Sequence, residues 1–534
     1  MKLFSFFKTH SVLIIYVAFI ILHLLLTNVN SAEWGDSYRI LRASEHIRQG
    51  NYPLDEKRPP LYSLLLSVRP ATVDPIVWGR VFMLALSVAA LFIFDKLFNQ
   101  LSNTPKARAL ALLMFILNPV YLYWSLRIYA DVLFSIEVMF ALYLYLKWRE
   151  KLTCLKVGVL GLFAALAVLT RFEGYILFGA LGFGLVYLNR FNTDFAKSFI
   201  KNIRYICIYV ISFILILLPY YLWRNPLTSS YFEEPTGRTY DLSTLAIYIV
   251  SLLFLFGFVY AGFFYWEYKD KFKEYLLNTP AIALFIILEL LLVLVWPAAI
   301  PRLFIPVIPL LIIPLADYIN TYFSLGNKYW STIRSFFTKS AFNYRIVLLI
   351  VLPLVYVCAQ IIFRLQFLIV QKYVLLFILL LQVVLFASII TKKKMLFFNT
   401  FVVSMLVWSL ATIYQHKDIY KGVAEVSKFA SERVCGVVAY NDVSSVSDWY
   451  LNESSGIAKN CENRGIYYDA TVKTNRSKES LQKSHIAYIL VTNEHNTTLT
   501  FDTTEWPHIV SVYGVDYAIN GKTFFTNLYK VIYE

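Results

Sequence analysis

The side chains with the most chemical potential are carboxylates and arginines in short polar connections between long apolar segments. Asp36 follows the first apolar segment, and Asp131 and Arg171 lie at the ends of later ones. A charge at the edge of hydrocarbon costs free energy unless it is paired or used. A guanidinium group is always charged and can bind two phosphate oxygens at once. The pattern therefore indicates a site for a phosphate-bearing ligand at the edge of the membrane.

Four polar stretches carry these residues, and the predicted topology puts all four on the outer side. They are the loop of residues 30–75, with Glu33-Trp-Gly-Asp36 and then Asp55, Glu56, Lys57 and Arg58; Arg127-Ile-Tyr129-Ala-Asp131; Thr170-Arg171-Phe172-Glu173-Gly174; and Trp296-Pro-Ala-Ala-Ile-Pro301-Arg302. Taken singly, each stretch is explained as well by an interfacial anchor as by a functional site, and the loop of residues 30–75 also by ordinary solvated charges. Their convergence on one face favours a functional site.

Transmembrane helices are the elements that must position these stretches. Of the 534 residues, 58% are hydrophobic and 16% are charged, whereas a soluble domain has about 25% charged residues. Apolar runs of about 18 residues or more are candidate spans. About thirteen are predicted, at 11–29, 76–98, 107–124, 129–147, 156–170, 173–189, 205–223, 243–266, 280–297, 303–322, 346–363, 373–391 and 395–414. The fold class is thus an α-helical polytopic membrane protein.

Lysine and arginine are concentrated in alternate loops, which predicts a cytoplasmic N-terminus in the cell membrane. The same bias explains the net charge of +15 without a nucleic-acid partner. Residues 1–414 are then the transmembrane domain, and residues 415–534 form a small extracytoplasmic α/β domain. Its β-type runs are Val434 to Tyr440, Ile486 to Thr492, Ile509 to Tyr513 and Thr523 to Tyr533, with a helix near Lys478 to Ser484.

Cysteines and histidines give no clear metal signature. Cys435 and Cys461 lie in the predicted outer domain, where a disulfide is permitted, but spacing alone does not decide their pairing. The seven histidines show no zinc spacing. We expect no cofactor and no metal; the alternative is Mg²⁺ or Mn²⁺ held by the carboxylates of Asp36 and Asp131.

The stretches, in this order and on this membrane side, resemble the GT-C glycosyltransferases, in particular the group of protein O-mannosyltransferases and lipid A aminoarabinose transferases. The resemblance covers roughly the first 320 residues. It rests on Gly35-Asp36-Ser37-Tyr38, Arg58-Pro59-Pro60-Leu61-Tyr62, Tyr129-Ala130-Asp131, Thr170-Arg171-Phe172-Glu173-Gly174 and Arg302 with the prolines around it. Relatives often have an Asp-Glu pair where this chain has Asp36-Ser37, so a single carboxylate is expected to serve.

The resemblance implies a hexosyl- or pentosyltransferase that uses a polyprenyl-phosphate sugar donor. Asp36 would be the general base, and Asp131 would orient the acceptor or hold a metal. Positive charge would stabilise the leaving phosphate; the candidates are Arg58, Arg171 and Arg302, with Glu56, Lys57, Tyr129 and Glu173 as further site residues. The partners would be the lipid-linked donor, membrane lipids, and a lipid, glycan or protein acceptor.

Two other functions remain open at this point. A transporter or flippase for a lipid-linked sugar would explain Glu137 and Glu289, which lie inside apolar segments. A scaffold that binds glycolipid without catalysis is the other. An outer site favours a lipid-linked donor for an enzyme, because nucleotide sugars are not supplied there and the chain has no Gly-rich phosphate loop.

Overall fold

The computed structural model describes most of the chain. The described residues are 11–102, 104–187, 195–224, 240–254, 256, 258–297, 300–324, 342–363, 372–453, 464–469, 472, 475, 477–496, 499–503, 506, 508–519 and 522–533.

Helices dominate the first four-fifths of the chain. They are α1 (Ser11–Leu26), α2 (Gly35–Arg48), α3 (Leu61–Ser67), α4 (Pro75–Leu101), α5 (Pro105–Ile116), α6 (Pro119–Ser125), α7 (Asp131–Trp148), α8 (Cys154–Thr170), α9 (Gly174–Tyr187), α10 (Phe195–Trp223), α11 (Leu242–Phe254), α12 (Ala261–Glu267), α13 (Lys269–Asn278), α14 (Pro280–Val295), α15 (Ile308–Ser324), α16 (Phe342–Phe363), α17 (Lys372–Ile390) and α18 (Lys394–His416), with a 3₁₀ turn at Pro301–Phe304.

The helices fit a multi-pass membrane protein, but their lengths do not settle the number of spans. Among the described residues, three helices are long and apolar enough to cross a membrane, or up to five spans if each of two bent pairs counts as one. Each predicted span overlaps a described helix. The count of thirteen and the orientation of the termini stay predictions.

The segment predicted as one span at 107–124 is instead broken into α5 and α6, which meet at an angle of 53°. Asn118 caps α6 by accepting hydrogen bonds from the backbone N–H groups of Val120 and Tyr121, both at 3.0 Å. Pro119 occupies the first helical position, where its missing N–H costs nothing. An Asn-Pro pair thus ends one helix and starts the next.

A unit built on a five-stranded sheet follows α18. The elements of this unit are α19 (Lys421–Arg433), β1 (Val437–Tyr440), α20 (Val446–Asp448), a π turn (Trp449–Glu453), β2 (Arg464–Tyr467), α21 (Lys478–Lys483), β3 (Ile486–Thr492), β4 (Ile509–Ile519) and β5 (Lys522–Val531). The strand order is β2-β1-β3-β5-β4. Strand β1 runs parallel to β2 and β3, and β5 runs antiparallel to β3 and β4.

The sheet and helices α19–α21, which we call the outer unit after their predicted side of the membrane, have an apolar core beneath α19. Val426 and Ala430 of α19 belong to a buried cluster with Val438, Leu490 and Leu528 of the sheet. Helix α19 and strand β2 were missing from the sequence prediction, whereas the other strands and α21 overlap the predicted runs. The domain boundary at 414/415 stays a prediction.

The cysteines divide into two groups. Cys154, Cys207 and Cys358 are free thiols. Cys435 is disulfide-bonded, while Cys461, whose pairing with Cys435 the sequence left open, lies outside the described residues. A disulfide in the outer unit agrees with an oxidising compartment.

Candidate functional site

Helix α2 contacts the outer unit directly. It begins at Gly35 and therefore carries Asp36 in its first turn. Arg39 donates from Nε to Ser445 Oγ at 2.8 Å. A Cβ on Gly35 would lie 2.2 Å from the backbone oxygen of Ser444, so glycine permits this close approach.

Asp36 lies between two arginines that are far apart in sequence. Its Oδ1 pairs with Arg58, and its Oδ2 accepts from Arg302 Nη2 at 3.1 Å. Burial raises the pKa of Asp36, but the guanidinium groups of Arg58 and Arg302 lower it more, so the pKa lies below its ordinary range. One-third of the Asp36 side chain is exposed. The carboxylate is therefore ionised and accessible.

Glu56 fixes the position of Arg58 through two hydrogen bonds. Glu56 Oε1 lies 3.0 Å from Arg58 Nη1 and also accepts from the Arg58 backbone N–H at 3.0 Å. Only 5% of the Glu56 side chain is exposed, and Glu56 does not line the cavity described below. Glu56 thus positions an arginine instead of facing a ligand.

Arg302 is held by aromatic rings. It lies in the 3₁₀ turn, and its guanidinium carbon is 4.4 Å from the ring centre of Tyr129 and 5.3 Å from that of Trp124. Cation–π contacts of this kind are worth about 0.5–2 kcal/mol. The buried Nε of Arg302 has no hydrogen-bond partner in the described part of the chain. Arg302 therefore retains a donor besides the one it gives to Asp36.

A second ion-pair cluster surrounds Arg171, in the short turn between α8 and α9. Arg171 Nη1 lies 2.7 Å from Asp131 Oδ1, and Arg171 Nη2 pairs with Glu173. Asp131 opens α7 and its side chain is 2% exposed. Its Oδ2 is buried without a hydrogen-bond partner among the described residues.

One cavity of about 180 Å³ lies between the two clusters. Its charged lining consists of Asp36, Lys57, Arg58, Asp131, Arg171, Glu173 and Arg302. Tyr129 also lines it, so of the nine predicted site residues only Glu56 stands back from the cavity. Four cationic and three anionic groups face the space, which suits a ligand with a net negative charge.

Arg127 lies near these residues in sequence but does not line the cavity. It is fully buried, and its Nη2 donates to Asn30 Oδ1 at 3.0 Å and to the backbone oxygen of His416 at 2.9 Å. Its guanidinium also lies 5.7 Å from the ring centre of Trp34. Arg127 thus fixes the end of α18, where the chain enters the outer unit.

A second cavity, of about 310 Å³, adjoins the first and was not predicted. The two share Asp36, Lys57, Tyr129, Ile300 and Arg302. The second is completed by Trp34, Gly35, Arg39, Trp124, Tyr420, Val443, Ser444 and His495. The last four come from the polypeptide after α18, where no sequence motif marked them.

The arrangement does not offer the carboxylate pair that was considered as a metal site. Asp36 faces Arg58 and Arg302, while Asp131 faces Arg171. Among the described residues, no group of three or more histidine, cysteine or acidic side chains could hold a metal ion. Each of the two carboxylates is paired with arginine, so the proposed reaction is written without a cation.

No protein-family model and no curated protein matches the chain in sequence. Solved structures are similar in fold. ArnT from Cupriavidus metallidurans in the apo state gives a TM-score of 0.57 at 13% identity, covering 97% of this chain and 98% of that one. The same protein bound to undecaprenyl phosphate gives 0.55 at 12% identity, with the same coverage of both chains.

The oligosaccharyltransferase AglB from Archaeoglobus fulgidus, in complex with an inhibitory peptide and a dolichol-phosphate, gives a TM-score of 0.51 at 10% identity, over 98% of this chain and 74% of that one. These neighbours are GT-C fold glycosyltransferases. The chain has the GT-C fold. The resemblance inferred from Asp36 and the other stretches is confirmed at the level of the fold, and the fold extends over nearly the whole chain.

Proposed function

We propose that the chain transfers a sugar from a polyprenyl-phosphate donor to an acceptor on the outer face of the cell membrane. The observation that carries the proposal is the single cavity in which Arg58 and Arg302 converge on Asp36. The GT-C fold supports the reaction class, and two of the similar structures contain a polyprenyl-type phosphate, undecaprenyl phosphate in ArnT and dolichol-phosphate in AglB.

Arg58 and Arg302 are the groups we assign to the donor phosphate. Both guanidinium groups are mostly buried, with 17% and 13% of their side chains exposed. In such surroundings a fixed positive charge stabilises a leaving phosphate more strongly than it would in water. The guanidinium of Arg171 already pairs with Asp131 and Glu173. Arg171 would therefore add positive charge to the cavity lining without binding the phosphate directly.

Asp36 is the proposed general base, and the donor would make it a stronger one. While two arginines neutralise it, the carboxylate has little tendency to take a proton. A phosphate bound by the same guanidinium groups would share their charge and raise the pKa of Asp36 toward its ordinary value. Donor binding would therefore activate the base only when there is a sugar to transfer.

The reaction balances with these groups alone. The bond between the anomeric carbon and the phosphate oxygen breaks, and its electron pair leaves with the polyprenyl phosphate. The acceptor hydroxyl or amine forms the new bond to the anomeric carbon. Its proton passes to the carboxylate of Asp36. Asp131, with one oxygen unpaired in the described chain, would orient the acceptor or the sugar.

Release of polyprenyl phosphate by the purified protein tests this function. Wild type would be incubated in detergent with a panel of polyprenyl-phosphate sugars and crude envelope acceptors. Loss of a general base lowers the rate by about 10²- to 10⁴-fold, and Asp36→Asn should do so while still folded. Asp55→Asn is the matched control, because Asp55 lies in the same loop, is 66% exposed and pairs with Arg42, its one ion-pair partner among the described residues.

Equal release by wild type and Asp36→Asn would remove Asp36 as the base. No release by wild type from any donor would contradict the transferase function. Uptake of a labelled lipid-linked sugar across sealed vesicles would then support the transporter alternative.

A further inference from the structure

The second cavity brings the outer unit to within reach of the proposed base. Asp36 and Arg302 line both cavities, so a molecule in the second one lies beside the carboxylate that faces the first. A transferase needs two neighbouring subsites, one for the donor and one for the acceptor. The first cavity holds the arginines of the proposed donor site, and the second has a different lining.

A histidine oriented by a buried carboxylate forms the outer wall of the second cavity. His495 Nε2 lies 2.7 Å from Asp442 Oδ1. The Asp442 side chain is fully buried and its Oδ2 accepts from the backbone N–H of Ser447 at 2.8 Å. About one-fifth of the His495 side chain is exposed. A carboxylate on one ring nitrogen fixes the orientation of an imidazole and leaves the other nitrogen for a ligand.

The two residues before His495 are hydrogen-bonded to β5 and to α19. Asn493 Oδ1 accepts from the backbone N–H of Phe525 on β5 at 2.8 Å. Glu494 Oε1 accepts from the backbone N–H of Val423 on α19 at 2.9 Å. The Tyr420 ring lies 5.3 Å from that of His495 and 5.9 Å from that of Trp34. These contacts hold the histidine in place against the transmembrane part, as a binding residue requires.

The lining favours a saccharide over an extended peptide. Aromatic rings of Trp34, Trp124, Tyr129 and Tyr420 line the cavity beside polar groups of Arg39, Ser444 and His495. Aromatic rings pack against the C–H faces of a sugar ring, and polar side chains bind its hydroxyl groups. Extended peptides are commonly bound by addition to a sheet edge, and none of the residues that line this cavity belongs to strands β1–β5.

We infer that the second cavity is the acceptor subsite, that it takes a saccharide unit, and that His495 held by Asp442 binds a hydroxyl group of that saccharide. The inference rests on the proposed function, because it names the acceptor of the same reaction. The saccharide hydroxyl that attacks then lies beside Asp36, which takes its proton, while His495 holds a neighbouring hydroxyl in place.

The test separates acceptor binding from donor chemistry. Steady-state transfer would be measured for wild type and His495→Gln, varying the donor and a saccharide acceptor from the envelope fraction in turn. Donor breakdown without acceptor would be measured in parallel. His495→Gln should raise the KM for the acceptor by about 10- to 100-fold, with the donor KM and the donor breakdown unchanged. His508→Gln is the matched control, because His508 lies in the outer unit but lines neither cavity.

Binding without donor gives a second readout. Quenching of tryptophan fluorescence would be followed with methyl glycosides of hexoses and pentoses and with short Ser/Thr peptides. Saturable quenching by a glycoside that weakens in His495→Gln supports the inference. An unchanged acceptor KM in His495→Gln overturns it while leaving the proposed function intact, and saturable binding of peptides alone overturns the saccharide assignment. A wild type that consumes no donor removes the proposed function and this inference together.

Discussion

Replacement of Arg302 by lysine tests how the site uses a guanidinium group. The positive charge stays, but lysine cannot present two N–H groups in a fixed plane. Arg302 donates to Asp36 at 3.1 Å and faces the rings of Tyr129 and Trp124 at 4.4 and 5.3 Å. Lysine would lose the planar stacking on both rings and the buried Nε donor that has no partner among the described residues.

The magnitude follows from these contacts. Loss of one fixed donor to a developing negative charge costs about 2.7–4 kcal/mol, or about 10²- to 10³-fold in kcat. The lost stacking weakens the positioning of the side chain by about 1 kcal/mol or more. We therefore expect Arg302→Lys to lower kcat/KM for the lipid donor by at least about 10²-fold, because lysine keeps the charge but not the fixed N–H donor that Arg302 would give to the phosphate.

The assay is release of polyprenyl phosphate at several donor concentrations, with Arg69→Lys as the matched control. Arg69 is similarly buried, with 9% of its side chain exposed, and binds both oxygens of Glu45 at 2.9 Å. It lines neither of the two cavities around Asp36. Size-exclusion profiles and Tm values would show that both variants fold. Donor turnover by Arg302→Lys within about threefold of wild type would refute the assignment of Arg302 to the phosphate.

Two further predictions concern the contact of α2 with the outer unit and a buried glutamate within the outer unit. Gly35→Ala places a Cβ 2.2 Å from the Ser444 backbone oxygen, so we expect it to lower the free energy of unfolding by about 1–3 kcal/mol and to reduce sugar transfer. Gly179→Ala is the control, because its Cβ would have nothing within 4 Å, and it should change neither stability nor transfer. Equal Tm values for the two variants would contradict the prediction. Burial raises the pKa of Glu494 to about 7, so its contribution to stability is complete below its ordinary pKa and is lost as the pH rises through about 7. The Tm of wild type should therefore fall from about pH 6 to about pH 8 by some 2–4 °C more than that of Glu494→Gln, while Glu425→Gln, altered on the exposed side of α19, should follow wild type.

The sequence was informative wherever the signal is local. Apolar runs predicted the long apolar helices approximately, because about 18 consecutive apolar residues need lipid or a protein core whatever their neighbours are. Runs of β-type residues predicted β3 along its whole length. The polar stretch around Arg171 was predicted to connect two apolar segments, and in the structure it lies between α8 and α9.

Features that depend on distant parts of the chain were beyond the sequence. The contact of Asp36 with Arg302 spans 266 residues, and no spacing rule predicts which arginine reaches which carboxylate. His495 has no motif, and its place beside the Asp36 cavity depends on how the outer unit packs on α2.

The break between α5 and α6 is a different case, since its signal was present. Asn118 and Pro119 form a cap and a first-turn proline, but the apolar run around them satisfied the length criterion for a span. The apolar composition of residues 107–124 suggested one continuous helix, whereas Asn118 and Pro119 set the break between α5 and α6.

The central claim is that the phosphate of a lipid-linked sugar donor binds between Arg58 and Arg302, beside Asp36. The most direct measurement is a cryo-electron microscopy map of the full chain with polyprenyl phosphate. We expect phosphate oxygens at hydrogen-bond distance, about 2.7–3.2 Å, from both guanidinium groups, with the polyprenyl chain leaving toward the lipid. Phosphate density away from both arginines, with the ion pairs of Asp36 unchanged, would contradict the claim.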